Sequence, residues 1–451
     1  MTSADRIRIF ENVAVSEAVR RQVVPAVIGQ MILLIYNLAD TYFVGLLNAP
    51  AETAAVTVAY APFLMLTAIS NLFGVGGAGA LSRALGTHDE RKAGEISAIS
   101  FWLGLLSAAI YSALFFLLSD SIMRLAGATQ ETMPLALGYA RWIIVYGGIP
   151  TALNVLLSNL VRAEGNAKMA SVGVSFGGIL NIILDPLLIL PRFAGLGAIG
   201  AGIATAASNL ASVLFYLVYI VSCRDCSVIR LTPKLLKDSH RHLKTMLSIG
   251  APSALQYALT VIAVAAQAKF VSQYPTQAVA ALGITKKLDQ LPLYFSIGVS
   301  AGLLPLLAYH HAAGNQARRR SAFRLGIRIS LAFSLFCFLL YEAFAPQLAS
   351  LFIQDRVTVS YAAAFLRRMV TAMPLMSICY PMIIQFQAMK RTKESLVCSI
   401  LRKGVLDIPL LFLMDAVFPL YGLMWVQPIV DAFSLMVCVC FYRKLLRSHL
   451  A

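Results

Sequence analysis

The chain has 451 residues, of which 59% are hydrophobic and 13% are charged, and its mean hydropathy is +0.76. Soluble domains carry about 25% charged residues, so this composition excludes a soluble protein and predicts an integral membrane protein. The net charge of +16 could suggest a nucleic-acid partner, but the basic residues lie in short segments between hydrophobic runs, where the positive-inside rule explains them. We therefore expect contact with a lipid bilayer and no nucleic acid.

Hydrophobic runs of about 20 residues, the length that crosses a bilayer as a helix, recur along the whole chain. The N-terminal stretch before them has no compact apolar region and no small-residue cleavage site, which predicts an amphipathic lead-in and not a cleaved signal peptide. Counting the runs predicts an all-α integral membrane protein of about twelve transmembrane helices. They lie near 22–47, 53–80, 97–119, 134–160, 167–190, 198–222, 245–271, 277–309, 322–345, 361–389, 396–417 and 419–442.

Basic residues are concentrated on one side of this predicted topology. If the N-terminus is inside, most Lys and Arg residues face the cytoplasm, including the 224–244 connection and the 443–447 tail. The opposite face keeps Arg124, Arg192 and Arg356. We therefore expect a multi-pass protein of the cell inner (plasma) membrane with both termini in the cytoplasm.

Two carboxylates fall inside predicted spans. Asp40 lies in the first span, and Asp185 lies in the fifth span with Asn181 one helical turn before it. A charged side chain in the bilayer interior is costly and is by default a functional-site candidate. This pattern indicates ion or proton handling within the membrane.

The two halves of the chain are similar, which indicates an internal duplication. Val24-Pro25-Ala26 opens the first span as Ala251-Pro252-Ser253 opens the seventh. Two copies of six spans have the same orientation and form two pseudo-symmetric six-helix bundles, an architecture typical of transporters. We predict an N-terminal bundle with the coupling-ion site at 1–225, a cytoplasmic connection at 226–244 and a C-terminal bundle at 245–451.

The acids of the two halves differ, and this difference indicates where coupling takes place. The second half has no acid corresponding to Asp40 and has Ile408 where Asp185 would be. The coupling site is therefore expected in the N-terminal bundle. Further acids in predicted spans of the second half are Asp289, Asp407 and Asp431, and Asp289 has Lys286 one turn away as an expected partner.

Seven short motifs follow one another in a fixed order. They are DTYFVG at 40–45, FGVGG at 73–77, SRALG at 82–86, RAEG at 162–165, NIILDP at 181–186, GAIGAGIAT at 197–205 and FQA at 386–388. In this order and spacing the chain resembles, over essentially its whole length, the MATE (multidrug and toxic compound extrusion) family of the MOP superfamily.

The resemblance implies a twelve-helix fold and cation-coupled export of lipophilic, often cationic small molecules by alternating access. It also implies that Asp40 and Asp185 bind the coupling ion, with Asn181, Asn154 and Thr205 as polar neighbours. The ion is H⁺ or Na⁺, because carboxylate and amide oxygens at Asp40, Asn181 and Asp185 suit Na⁺ while a carboxylate could equally carry a proton. We expect no other cofactor, no enzymatic activity and a monomer.

Aromatic and Met side chains are candidates for lining a substrate cavity, since they repack around varied ligands. The predicted cavity residues are Tyr36, Asn37, Tyr139, Gln256, Tyr257 and Met373.

Pro186 removes a backbone donor next to Asp185 and is predicted to act as a helix hinge.

Two alternatives stay open on the sequence. A lipid-linked oligosaccharide flippase of the same superfamily would need Arg and Lys in the cavity for a pyrophosphate, and the first-bundle spans have few besides Arg141. An intramembrane aspartyl-type enzyme would use the two acids as a catalytic pair. The duplication, with no second acid at the equivalent place, disfavours the enzyme.

Overall fold

The described residues of the first half form helices joined by short turns and loops. The computed structural model describes residues 10–47, 49–224 and 226–448. A π-helix at Arg141–Tyr146 interrupts the fourth predicted span. The α-helices of this half are α1 Val15–Gly45, α2 Pro50–Gly86, α3 Glu90–Leu125, α4 Met133–Ala140, α5 Gly148–Ala163, α6 Ala167–Ile189 and α7 Gly197–Ser222.

The second half repeats this organisation after a short 3₁₀ turn at Pro233–Leu235. Its helices are α8 Leu236–Val271, α9 Thr276–Ala312, α10 Gln316–Ser350, α11 Arg356–Met369, α12 Ala372–Ala388, α13 Thr392–Arg402, α14 Asp407–Val417 and α15 Gly422–Ser448. The connection predicted at 226–244 is therefore helical from Leu236 onward.

Tight turns with an Asn or Asp cap begin several of these helices. The Asp89 carboxylate accepts a hydrogen bond from the Lys92 amide at 2.9 Å, and the Asn166 and Asn315 side chains do the same for Met169 and Arg318. Such a cap satisfies one of the backbone N–H groups that the first helical turn leaves without a partner. These caps fix where α3, α6 and α10 begin.

The long helices have the length and hydropathy of membrane spans. Within the described residues, nine helices qualify singly, and α4 with α5 and α11 with α12 form two further spans bent by 50° and 44°. The eleventh predicted span consists of α13 and α14, each 11 residues long and too short to cross alone. The all-helical membrane architecture predicted from hydropathy is confirmed, but three spans predicted as continuous are broken.

Large apolar side chains cover the outside of the helix assembly. On α3, Leu114, Leu117 and Leu118 are 50%, 75% and 51% exposed, and Val218 on α7 and Leu339 on α10 are similarly exposed. In water such a surface would be an aggregation liability, whereas in a bilayer it contacts the acyl chains. These residues define the lipid-facing surface.

The two halves contact each other toward one end of the molecule, the end at which α1 and α8 begin and α2 and α9 terminate. We call this end the inner end, since it is the one predicted to face the cytoplasm. A Cβ added at Gly298 on α9 would lie 2.7 Å from Val27 Cα, and one at Gly302 would lie 2.7 Å from Val23 Cα. The second contact is between α2 and α8, where Gly76 of α2 lies against the Met246 carbonyl and Gly250 of α8 lies against the Leu72 carbonyl. Glycine is required at these positions because backbone meets backbone, and the inner end is closed by this contact.

The connection between the halves is held to the N-terminal bundle by the buried Glu164 carboxylate. It accepts hydrogen bonds from Ser227 Oγ at 2.6 Å and from the Val228 amide at 3.2 Å. Glu164 belongs to the RAEG motif in the turn after α5, so one function of that motif is to fix the path of the connection.

Candidate functional site

Asp40 and Asp185 are placed at similar depth by two neighbouring helices. Asp40 lies five residues before the end of α1, and Asp185 lies four residues before the end of α6. Since α1 packs along α6 and both run from the inner to the outer end, the two carboxylates lie in the outer half of the bundle. The two side chains are near enough to interact electrostatically.

Buried oxygens of these carboxylates have no hydrogen-bond donor. Asp185 is fully buried, and neither of its oxygens has a partner in the described structure. Oδ1 of the partly buried Asp40 is also without one. Burying an unpaired carboxylate costs several kcal/mol or more, so such groups normally bind a proton or a cation. The arrangement therefore fits a site that takes up positive charge.

A chain of amides and a hydroxyl includes Asn181, which lies one helical turn before Asp185, although neither Asp40 nor Asp185 lines the cavity that this chain surrounds. Asn154 donates from Nδ2 to Asn209 Oδ1 at 2.7 Å, and Asn209 donates to the Thr205 carbonyl at 2.9 Å. Asn181 donates to Thr205 Oγ1 at 3.5 Å. The oxygens Oδ1 of Asn154 and Oδ1 of Asn181 are buried with no donor of their own. Both amides thus direct unused acceptors into the bundle, as cation ligands would.

These polar residues line a small cavity inside the N-terminal bundle. Its walls come from α1, α5, α6 and α7, and no Lys or Arg is among the lining residues. The lining residues are Leu33, Tyr36, Asn154, Val174, Gly177, Gly178, Asn181, Thr205, Ser208 and Asn209.

Two glycines on α6 allow the walls of this cavity to approach. A Cβ at Gly178 would lie 2.8 Å from Ile32 Cγ2 on α1, and one at Gly177 would lie 2.9 Å from the Ser208 carbonyl on α7. Atoms this close would push the helices apart. The glycines pack helices, and they bring Asn181 and Asp185 against α1 and α7.

The predicted substrate-cavity residues are only partly brought together. Tyr36 lines the N-terminal cavity, and Tyr139 interacts electrostatically with Asp40. The Asn37 amide instead donates to the Leu33 carbonyl of its own helix at 2.7 Å. Met373 is fully buried in an apolar cluster of the C-terminal bundle with Tyr341 and does not line the N-terminal cavity.

Tyrosines from both bundles face one another across the middle of the molecule. Tyr294 on α9 lies near Tyr36 and Tyr60 of the first bundle and near Tyr257 and Tyr380 of the second. Gln256 donates to the Tyr380 hydroxyl at 3.1 Å. Tyr36 and Tyr257 thus lie on the two sides of the middle of the molecule with Gln256 bonded beside them, and their role in binding substrate stays a prediction. Tyr60 was not recognised from the sequence.

Two further polar residues of the N-terminal cavity were missed. Asn209 lies one helical turn after Thr205, so the spacing i, i+4 could have shown it, and Ser208 lies beside it. Pro186 lies within α6, which continues helically to Ile189. The helix is thus near its outer end at the proline, and the hinge role stays a prediction.

In the described part of the chain, no three His, Cys, Asp or Glu residues gather around a common point, so no cluster of strong metal ligands is found there. The N-terminal site offers two carboxylates together with amide and hydroxyl oxygens. These are hard ligands suited to Na⁺, and the same carboxylates could carry protons.

Comparison with known proteins gives one consistent result. The chain is 29% identical over 422 residues to the multidrug export protein MepA of Staphylococcus aureus (strain MRSA252), covering 93% of this chain and 92% of that protein. MepA of Staphylococcus saprophyticus is 27% identical over the same length.

Solved structures of similar fold cover almost the whole chain. An outward-facing conformation of a multidrug resistance MATE family transporter of the MOP superfamily has a TM-score of 0.91 at 24% identity, with 98% of each chain covered. A MOP superfamily transporter from Pyrococcus furiosus, for which a binding pocket of reverse polarity is described, has a TM-score of 0.90 at 24% identity with the same coverage. The twelve-helix fold predicted from the sequence is thereby confirmed.

A family model described as MatE matches the chain twice, at residues 25–187 and 252–413. The two matches fall on corresponding spans of the two halves, which agrees with the internal duplication. MatE proteins are multi-pass membrane transporters and not enzymes, as expected from the sequence. The double match over most of the chain shows that it belongs to the MatE family.

Proposed function

We propose that the chain is a cation-coupled antiporter that exports lipophilic, often cationic compounds by alternating access. The observation that carries this proposal is the pair Asp40 and Asp185, whose buried oxygens lack donors beside a polar cavity. The name of the MepA relatives, multidrug export protein, supports the substrate class.

The closed inner end supports a route for the ion and the drug. The bundles touch backbone to backbone near Gly76, Gly250 and Gly302, which lie toward the inner end, so the central space is closed on that side. Tyr60 on α2 is 46% exposed on the outer side. In this outward-facing form, drug leaves to the outside while the coupling ion enters.

Ion binding at the carboxylates would drive the change of state. Neutralising Asp40 and Asp185 changes the relative free energies of the outward-facing and inward-facing forms. Converting a 1:99 mixture into 99:1 needs about 5.5 kcal/mol of differential binding, and uptake of positive charge by two buried carboxylates is of the right size. The ion is H⁺ or Na⁺, both compatible with the ligands present.

The flippase alternative is less well supported, since the N-terminal cavity has no basic lining residue for a pyrophosphate. We further propose that the protein is a monomer in the cell inner membrane with both termini in the cytoplasm, because the basic segments of the chain lie at the inner end. The small-molecule substrate and the surrounding bilayer are then its expected partners.

The test is ethidium transport by the purified full-length protein in proteoliposomes under separately imposed Na⁺ and H⁺ gradients. We expect one gradient to drive ethidium against its own concentration gradient. Asp120→Asn, which removes an exposed acid at the end of α3, should transport like the unmodified protein. If neither gradient drives ethidium, the antiport proposal is wrong.

A further inference from the structure

The residues that directly precede α1, from Phe10 to Ala14, lie against the inner ends of both bundles, and we call them the lead-in. The Phe10 side chain is fully buried. Its ring stacks on the Tyr309 ring of α9, with 4.7 Å between the ring centroids and 12° between the planes. Stacked aromatic rings attract each other beyond the gain from burial alone. Because the lead-in continues into α1 and α9 belongs to the second bundle, this stack joins the two bundles.

Hydrogen bonds from the second bundle hold the lead-in in this position. The Tyr309 hydroxyl donates to Glu11 Oε1 at 2.6 Å. The Arg318 guanidinium, in the first turn of α10, donates to the Phe10 carbonyl at 3.1 Å and to the Val13 carbonyl at 2.5 Å. Hydrogen bonds that involve a charged group are stronger than neutral ones. One aromatic and one basic residue of the second bundle therefore bind both the side chains and the backbone of the lead-in.

The first bundle contributes the turn between α2 and α3. His88 Nε2 in this turn lies 3.5 Å from the same Glu11 oxygen, but both side chains are exposed, so this contact adds little. Directly before the turn, Gly86 of α2 lies against the Tyr309 carbonyl, where a Cβ would clash. The lead-in thus covers a place at which the backbones of α2 and α9 touch, and it contacts residues on both sides of it.

The lead-in is continuous with one bundle and bound to the other at the end that must open when the protein faces the cytoplasm. When the bundles separate there, α1 carries the lead-in away from Tyr309 and Arg318. Only Ala14 separates Val13 from the start of α1, which leaves the lead-in no slack to stay bound. The stack and the hydrogen bonds are therefore made in the closed form and lost in the open one, so their free energy favours the closed inner end.

We infer that the lead-in is a latch that holds the inner end closed and must release Tyr309 and Arg318 before the protein opens to the cytoplasm. The inference rests on the alternating access of the proposed function and adds to it a part of the chain outside the twelve spans. Weakening the latch should increase the fraction of molecules that are open at the inner end, without removing any group from the ion site.

The latch is tested by measuring this opening in the full-length protein in phosphatidylcholine nanodiscs, with no drug and no ion gradient. Spin labels at the exposed positions Glu90 and Lys390 report the distance between the inner ends of the two bundles by pulsed electron paramagnetic resonance. We expect Phe10→Ala and Arg318→Gln each to raise the ratio of open to closed molecules about tenfold, because each removes a contact that only the closed form makes.

A milder variant and two matched controls accompany these measurements. Tyr309→Phe keeps the stacked ring and removes only the bond to Glu11, so it should fold and raise the ratio about threefold. Asn12→Ala in the lead-in and Arg324→Gln on α10 replace exposed residues and should leave the ratio unchanged.

An unchanged distance distribution in Phe10→Ala, Arg318→Gln and Tyr309→Phe would overturn the inference even if melting temperatures fell, because the lead-in would then only stabilise the fold. Equal opening in the two control variants would also overturn it. Ethidium transport is measured separately. Absence of gradient-driven transport by the unmodified protein would refute the antiport proposal and leave the distance test intact, whereas unchanged distances together with driven transport would refute the latch alone.

Discussion

The Arg83 guanidinium donates a hydrogen bond of 2.8 Å to the Ala388 carbonyl and so joins the two halves of the molecule. Arg83 lies in the last turn of α2, and Ala388 is the last residue of α12. The bond closes the inner end beside the glycine contacts. It must break whenever the central space opens to that side.

Replacing Arg83 with Gln should therefore shift the protein toward the inward-facing form. A hydrogen bond to a charged, partly exposed group contributes about 1–2 kcal/mol, which corresponds to a shift of about 5- to 30-fold. Spin labels at the exposed positions Glu90 and Lys390 would report the distance between the inner ends of the two bundles by pulsed electron paramagnetic resonance. Lys168→Gln, an exposed substitution on α6, is the control, and an unchanged distance distribution in Arg83→Gln would remove this bond from the gate.

Gly177→Ala should damage the N-terminal cavity. Its methyl group would lie against Ser212 Oγ and 2.9 Å from the Ser208 carbonyl, so α6 and α7 must separate. Overpacking of this kind costs about 1–3 kcal/mol, and we expect a lower melting temperature in detergent together with weaker ethidium efflux. Gly45→Ala is a matched control, because a Cβ there meets nothing within 4 Å and Ala favours a helix. Equal behaviour of the two variants would contradict the packing argument.

The cap of α11 should make the outer end of the protein sensitive to acid. Thr358 donates to the Asp355 carboxylate from its amide at 2.8 Å and its hydroxyl at 2.6 Å, and these bonds lower the pKa of Asp355 below its usual value. A lowered folded-state pKa stabilises the fold above the unfolded value of about 3.9, and this stabilisation is lost as the pH falls through the folded pKa. Melting temperatures measured from pH 6 to pH 3 should decline less in Asp355→Asn, which keeps a capping oxygen but does not titrate. Parallel curves for the two proteins would show that this cap does not contribute.

The membrane architecture was readable from the sequence because hydrophobic length directly reflects bilayer thickness. The breaks in three spans were not. At Gly147 apolar residues continue on both sides, and at Gly404 only Arg402 and Lys403 interrupt the apolar run, so averaging over about 20 residues hides both breaks. The ion pair of Arg402 with Asp431 was equally invisible, since its partners are on different helices and only the fold brings them together.

The sequence indicated the site residues whose burial in a membrane is energetically costly and missed those whose side chains are common in membrane helices. Asp40 and Asp185 stand out because burying a carboxylate in the bilayer interior is costly and therefore indicates a function. Asn209 and Tyr60 do not, because amides and tyrosines also connect helices and line interfaces in membrane proteins. Met373 was assigned to a cavity from its residue type, whereas burial against Tyr341 places it in the core.

The central claim is that the carboxylates of Asp40 and Asp185 couple ion entry to drug exit. It is tested most directly by comparing ethidium binding with ion-driven ethidium transport in Asp40→Asn and Asp185→Asn. Both proteins should fold and insert, since losing a buried unpaired charge lowers the cost of insertion. We predict ethidium binding within about threefold of the unmodified protein, a change of less than about 1 kcal/mol, and transport that no longer responds to a Na⁺ or H⁺ gradient. Normal gradient-driven transport by well-folded Asp185→Asn would contradict the claim.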